Sequence, residues 1–146
     1  MAKDVDFPPV WLAGFAAIGG LFGRAFPVHL ALNDVVGSIL ILLGLVLMVI
    51  AALQMMVART TVIPRRNPDA MVTGGVFRLS RNPIYLADVI LLIGLYVAWD
   101  ALIALPMIAV FIYVIQSRFI LDEEARLSEL FGEEYDAYRA KTRRWL

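Results

Sequence analysis

The chain has 146 residues, the length of one domain, and 61% of them are hydrophobic while only 18% are charged. A soluble domain of this size buries only part of its surface, so this composition excludes an ordinary soluble protein and favours a bilayer as the solvent. Its formal net charge is zero. The absence of cysteine excludes disulfides and thiolate metal sites. His29, the single histidine, cannot build a histidine metal site alone, so no metal site is predicted.

Two apolar runs occupy the first part of the chain. Val35 to Val57 carries no charge and exceeds the roughly 20 residues that cross a bilayer core of about 30 Å. Pro9 to about Phe26 is a weaker candidate, in which Gly19, Gly20 and Gly23 allow close helix contact. The stretch before it has mixed charge and does not look like a cleaved signal, so we expect a retained first helix.

Two further apolar runs, Ile84 to Trp99 and Ala101 to about Ile120, are separated by Asp100 alone, which predicts a tight antiparallel hairpin. Pro106 is expected to kink the fourth helix or to lie near its first turns. Apolar residues continue at helical spacing beyond this run, so the helix should extend into the tail, with Gly132 as a stop and a short helix behind it.

These runs predict an all-α integral membrane protein with about four transmembrane helices, the last two a tight hairpin, and a cytoplasmic C-terminal helical tail. Residues 1–146 form a single domain, with two spans in 1–57 and a loop, hairpin and tail in 58–146. Eleven of the 13 basic residues lie in Ala58–Asn82 or Arg118–Leu146, and an excess of basic residues marks the cytoplasmic side. Both termini are therefore expected to be cytoplasmic, in a membrane of the bacterial inner-membrane type.

The third run begins with Arg81-Asn82-Pro83-Ile84-Tyr85, the segment that we call the elbow. Proline suits the first turn of a helix, where its missing N–H group has no cost. The free backbone N–H groups at this helix start could bind an anion, or the elbow could simply be where the helix enters the membrane. Both interpretations remain open on the local sequence.

Ionisable residues at and near the predicted membrane surface are further candidates for functional residues. Asp88 lies three residues after Tyr85 on the same helix face, and it either serves a function at membrane depth or pairs with Arg24 or Arg118. Asp122-Glu123-Glu124 forms either a solvated helix face or one wall of a polar site opposite the elbow. The basic, aromatic C-terminus could adhere to anionic lipid headgroups.

Several common sites are missing from the sequence. It contains no GxGxxG after a strand, no P-loop, no HExxH and no GxSxG, and it has no βαβ pattern for a Rossmann-type cofactor site. Its basic residues lie beside predicted spans, which argues against nucleic acid as a partner. Membrane lipids are the partners that this composition favours.

Three stretches in order carry a family resemblance: TTVIP, MVTGGVFRLSRNPIYLA and DEEARLSELFGEEYDAYRAKTRRW. The second is similar to a Gly-(Tyr/Phe)-Arg … Arg-(His/Asn)-Pro-x-Tyr motif, and the third to a Glu-Glu-x-x-Leu … Phe-Gly-x-x-Tyr-x-x-Tyr tail. From about Thr60 to Trp145 the chain thus resembles the isoprenylcysteine carboxyl methyltransferase family and its relatives, the bacterial phospholipid-methyltransferase-like membrane proteins.

This resemblance implies methyl transfer from S-adenosylmethionine to a lipophilic acceptor at the membrane–cytosol interface. The cofactor-binding residues that the resemblance implies are Val72, Phe77, Asn82, Pro83, Tyr85 and Glu123, and Arg81 is added because its charge suits the cofactor's carboxylate. The catalytic candidates are Arg118, near the family's substrate-facing arginine, and Glu124. An amine acceptor would have to lose a proton, and Glu124 or Asp88 is then the candidate base. Asn82 stands where histidine is common, so a hydrogen-bonding role fits it better than proton transfer.

Two other functions are compatible with the same residues. A small four-helix proton-coupled transporter would use Asp88 as its coupling acid, and a non-enzymatic membrane subunit would use the tail to bind a partner. If the protein is an enzyme, the acceptor group can be a carboxylate, an amine or a thiol. The oligomeric state is open.

Overall fold

The computed structural model describes residues 6–60 and 68–146, so most of the TTVIP stretch lies outside the described residues. The α-helices are α1 (Pro8–Ala25), α2 (Asn33–Val57), α3 (Pro83–Ala98), α4 (Met107–Ile115) and α5 (Leu121–Lys141). Short 3-10 turns cover Gly75–Arg78 and Leu102–Ala104, and a π-helical segment, Gln116–Ile120, joins α4 to α5. The described ranges contain no strand, which confirms the all-α prediction.

Helix α2 has the length and composition of a membrane span. It is 25 residues long, and of the helices in the described ranges it is the one that is both long enough and apolar enough to cross a membrane. Helix α3 is also apolar, but it has only 16 residues. Large apolar side chains on α2, including Leu42, Val49 and Met56, are more than half exposed, as lipid-facing side chains would be. One span thus has structural support, while the total of four remains a prediction.

Helix α3 lies at the centre of the fold. It packs extensively against α2 and also against α1 and α4, whereas α1 and α2 make little direct contact with each other. The Tyr96 side chain is completely buried, and its hydroxyl group donates a hydrogen bond to the Phe15 carbonyl oxygen on α1 at 2.8 Å.

The link between α3 and α4 is longer than the sequence predicts, because residues 99–106, with the 3-10 turn Leu102–Ala104, separate the two helices in place of Asp100 alone. Asp100 has a left-handed φ of 55°, and its carboxylate accepts a 2.7 Å hydrogen bond from Asn33 Nδ2 and contacts His29 Nδ1 at 2.7 Å. The Asn33 hydrogen bond and the neighbouring His29 lower the pKa of Asp100. Pro106 directly precedes α4, where its missing N–H group costs no helical hydrogen bond, so the second expected position for this proline is confirmed.

The fourth helix continues into the tail, as predicted. From Met107 the chain stays helical through the π-segment into α5. Gly132 then adopts φ 48° and ψ −122°, a conformation outside the helical region that glycine tolerates readily. This break confirms the predicted stop, and it turns the final helical stretch, which carries Tyr135 and Tyr138, back toward the start of α3.

Close contact between α2 and α3 depends on Gly37. A Cβ atom at this position would lie 2.6 Å from the Ala98 Cβ atom and 2.7 Å from its Cα atom. We therefore expect Gly37→Ala to destabilise the protein by about 1–3 kcal/mol, because the two backbones must move apart. Thermal unfolding in detergent measures the effect. Gly14→Ala is the matched control, since a Cβ atom there meets nothing within 4 Å, and an equal loss in both variants would contradict the prediction.

Candidate active site

The elbow is held in place by the end of the chain. Asn82 Nδ2 and the Ser80 hydroxyl group both donate to the Arg144 carbonyl oxygen, at 3.1 and 2.9 Å. The Arg81 backbone N–H donates to the Arg143 carbonyl oxygen at 2.9 Å. We call residues 142–146 the C-terminal strap. Because Pro83 starts α3 without an N–H group and the strap accepts the neighbouring donors, the elbow has a defined backbone path.

A buried ion cluster connects the elbow to the tail. The Glu124 carboxylate forms an ion pair with Arg81, with 3.0 Å between Oε1 and Nη2, and it accepts hydrogen bonds from Arg144 Nε and Nη2 at 2.9 and 2.7 Å. The side chains of Arg81 and Glu124 are only 9% and 11% exposed. Hydrogen bonding to Glu124 is the main cause that raises the pKa of Arg144. Glu124 therefore fixes the guanidinium group of Arg81 and ties the strap to α5.

The loop before the elbow is held by α2 and by the tail. Gly75 has φ +55° and begins the 3-10 turn that carries Phe77. The buried Tyr138 hydroxyl group donates to the Phe77 carbonyl oxygen at 2.6 Å, and burial raises the pKa of Tyr138 to about 12. The Val76 N–H donates to Gln54 Oε1 on α2 at 3.2 Å. Phe77 thus has a fixed position facing the start of α3.

Tyr85 and Glu123 join α3 to α5. The Tyr85 hydroxyl group donates to Glu123 Oε1 at 2.7 Å. Burial raises the pKa of the Glu123 carboxyl group, although the Tyr85 hydrogen bond and the nearby Arg126 act in the opposite direction. A carboxylate held out of water in this way favours a ligand that brings positive charge or hydroxyl donors.

These elements enclose a cavity of about 260 Å³, which we call the elbow cavity. All seven residues predicted to bind a cofactor line its wall, from the loop, the elbow and the tail: Val72, Phe77, Arg81, Asn82, Pro83, Tyr85 and Glu123. They span more than 50 positions of the sequence, so only the fold brings them together. Their shared cavity is a fact of the structure, and their role in binding a cofactor remains a prediction.

The two predicted catalytic residues do not line this cavity. Arg118 instead contacts Asp6, with Nε–Oδ1 and Nη2–Oδ2 distances of 3.2 and 2.9 Å, and its guanidinium group lies 5.2 Å from the Trp11 ring centroid. Its side chain is 48% exposed in a separate groove along α1. The side chain of Glu124 is fully engaged by two arginines. The structure thus shows a surface ion pair for Arg118 and contacts with two arginines for Glu124, and the catalytic roles of both residues remain predictions.

Asp88, a candidate functional residue from the sequence, also lines the cavity, from the second turn of α3. Several other cavity residues were not predicted as part of the site: Arg126 and Tyr138 contribute from the tail, and Pro8 and Met48 from α1 and α2. The tail sequence offered one usable signal, since Arg126 lies three residues after Glu123 and so shares its helix face. No comparable local signal links Pro8 or Met48 to the elbow.

Two arginines present unused donors in this region. Arg81 Nε and Nη1 and Arg126 Nη2 are buried and find no hydrogen-bond partner within residues 6–60 and 68–146. Buried donors in native structures are nearly always paired, so such groups in a cavity wall indicate a ligand with acceptor atoms. An anionic group, such as a carboxylate, fits both arginines.

Comparison with known families agrees with this geometry. The family model described as phospholipid methyltransferase matches residues 32–134, which include α2, the elbow, α3, α4 and most of the tail. Comparisons with curated proteins and with solved structures give no match. Since the matched range covers most of the chain, the protein belongs to the phospholipid methyltransferase family, a membrane-associated family of methyltransferases that act on lipid-type substrates.

Proposed function

We propose that this protein transfers a methyl group from S-adenosylmethionine to a lipophilic acceptor at the membrane–cytosol interface, in an isoprenylcysteine carboxyl methyltransferase-like manner. One observation carries the proposal: the seven residues that the sequence assigns to the cofactor, six of them by resemblance, line a single cavity. Membership of a methyltransferase family supports the reaction class independently.

The donor groups of the elbow cavity fit the polar parts of S-adenosylmethionine. The unpaired N–H groups of Arg81 suit the carboxylate of its methionine moiety, and Glu123 suits the ammonium group or the ribose hydroxyls. Val72 and Phe77 offer apolar surface on the loop side. When bound, the cofactor supplies an activated methyl group on a sulfonium centre.

The contribution of the protein is chiefly positioning and exclusion of water. Glu124 orients Arg81, Tyr85 orients Glu123, and the strap holds the elbow through hydrogen bonds from Ser80 and Asn82. Methyl transfer is an in-line displacement at carbon. Groups that hold the reactants in position and exclude water supply most of its rate acceleration, because the reactants then lose little further freedom on reaching the transition state.

The proposed topology places the elbow cavity on the cytoplasmic side. Four spans with both termini in the cytoplasm, in a membrane of the bacterial inner-membrane type, would bring the loop, the elbow and the tail to that surface. The cavity also reaches Met48, about 13 Å along α2 from Val57 at 1.5 Å per residue. Residues of α1 and α2, Pro8 and Met48, both line the cavity, so an acceptor with a hydrocarbon chain would approach from the side of these two helices.

Incubation of the purified protein with lipid extract and S-adenosylmethionine labelled in its methyl group tests the proposal. We expect label in a lipid fraction identified by mass spectrometry, and we expect Phe77→Ala to reduce the labelling strongly. Stable, folded protein that labels no lipid would contradict the proposed function. Proton-coupled uptake into liposomes that depends on Asp88 would instead favour the transporter.

A further inference from the structure

The C-terminal strap and the segment before α3 form one basic surface. The Arg81 backbone N–H donates to the Arg143 carbonyl oxygen at 2.9 Å, so the two segments lie in contact. Residues 73–85 and 139–146 together contain six basic residues and no acidic one. Two of the six, Arg81 and Arg144, turn inward to the buried ion cluster. The other four are exposed: Arg78, Arg139, Lys141 and Arg143.

Most of the exposed positive charge on this surface has no counter-charge in the described part of the chain. Arg139 pairs with Asp136 at 3.0 Å, and both of these side chains are more than half exposed. Arg78 and Lys141 form no ion pair with any other described residue. A basic surface of this kind attracts anionic groups, and the attraction is strongest at low salt.

Two exposed leucines flank these basic residues. Leu79 follows Arg78 directly and is 65% exposed. Leu146 is 68% exposed, and its main-chain oxygen lies 3.5 Å from Arg143 Nη1. Because Leu79 lies four residues before Pro83, the surface adjoins the start of the apolar helix α3. Basic and apolar side chains together suit the headgroup level of a bilayer, where leucine contacts acyl chains and arginine contacts phosphate.

We propose that this surface binds the headgroups of anionic phospholipids in the surrounding bilayer, and that a bound headgroup holds the strap against the elbow. We call the surface the strap face, and its residues are Arg78, Leu79, Lys141, Arg143 and Leu146. The inference goes beyond methyl transfer and rests on the proposed topology, which brings the start of α3 to the cytoplasmic surface. A soluble anion would pair with the basic side chains but would leave both leucines in water, so a lipid fits the whole surface better.

Arg143 connects lipid binding to the elbow. Its side chain is exposed on the strap face, while its carbonyl oxygen accepts the hydrogen bond from the Arg81 backbone N–H. The carbonyl oxygen of the next residue, Arg144, accepts from the Ser80 hydroxyl group and the Asn82 side-chain amide. A phosphate group that restrains the Arg143 side chain therefore restrains the backbone that holds the elbow. Anionic lipid should slow the local opening of these hydrogen bonds.

Native mass spectrometry of the detergent-purified protein tests the lipid binding. Phosphatidylglycerol and phosphatidylcholine with the same acyl chains are titrated separately, and we expect phosphatidylglycerol to bind more tightly. Arg143→Gln should weaken its binding about fivefold, and the double variant with Lys141→Gln about 20-fold, because each basic residue near an anionic lipid surface contributes a similar factor. Arg24→Gln is the matched control, since it removes an exposed arginine at the far end of α1, and it should leave the binding unchanged.

Hydrogen exchange in nanodiscs tests the link to the elbow. The backbone amides of residues 79–86 should exchange about fivefold more slowly in nanodiscs that contain phosphatidylglycerol than in nanodiscs of phosphatidylcholine alone. Arg143→Gln should remove most of this difference, and Arg24→Gln should keep it. The Arg143 substitution keeps the carbonyl oxygen that accepts from Arg81, so the variant should unfold at the wild-type temperature.

Three results would overturn the inference. The first is equal binding of the two lipids, or an equal loss in Arg143→Gln and Arg24→Gln. The second is elbow protection by soluble glycerol phosphate in detergent that equals the protection by phosphatidylglycerol, because the surface would then be a site for a soluble anion. The third is lipid binding that leaves hydrogen exchange at the elbow unchanged. Protein that passes these tests but does not bind S-adenosylhomocysteine would refute the proposed function and would leave this inference standing.

Discussion

Glu123→Gln is expected to abolish measurable binding of S-adenosylhomocysteine while leaving the ligand-free protein at least as stable at neutral pH. The amide oxygen of the substituted side chain can still accept the hydrogen bond from Tyr85, so the shape of the cavity is kept. The charge that would receive the cofactor's ammonium group or ribose is lost. Isothermal titration and thermal unfolding of the same preparation measure the two effects together.

The pH dependence of stability follows from the raised pKa of Glu123. Burial moves this pKa above its ordinary value of 4.5, so the folded state favours the protonated form. The resulting contribution to stability is present below the ordinary value and is lost as pH rises through the folded-state pKa. Wild-type protein should therefore lose stability over this range relative to Glu123→Gln. Parallel pH profiles for the two proteins would contradict this assignment.

Glu124→Gln is expected to be the most destabilising change in the tail, by about 3 kcal/mol or more. Removal of the charge leaves Arg81 buried without a counter-ion and releases the partly exposed Arg144, so the strap loses its main attachment to α5. Loss of cofactor affinity should accompany the loss of stability, because Arg81 is then free to reorient.

Thermal or denaturant unfolding in detergent measures this effect. Glu129→Gln is the control, since Glu129 is an exposed carboxylate on the same helix and its replacement should change stability by less than about 0.5 kcal/mol. If Glu124→Gln behaves like the control, the ion cluster does not hold the strap.

Local patterns in the sequence predicted the helices well because each signal lies within the element that it describes. Pro83 marks the start of α3, Asp100 marks the turn to α4, and Gly132 marks the break in α5. The π-helical segment at Gln116–Ile120 was not predicted, since nothing in its composition distinguishes it from α-helix.

Most of the site was predicted from family motifs. Resemblance grouped six of the seven predicted residues that line the elbow cavity, and Arg81 was added because of its charge. Side-chain partners were not predicted, because they depend on contacts between distant segments. Asp6, the partner of Arg118, lies 112 positions away in the sequence. Arg144, a partner of Glu124, returns to α5 only because of the break at Gly132.

Titration of the detergent-purified wild-type protein with S-adenosylhomocysteine tests most directly whether the elbow cavity is a cofactor site. Saturable binding of about one molecule per chain is predicted, with the affinity lost in Glu123→Gln and retained in Asp122→Asn. Folded protein that shows no saturable binding, or that binds equally well after the Glu123 change, would contradict the assignment of this cavity.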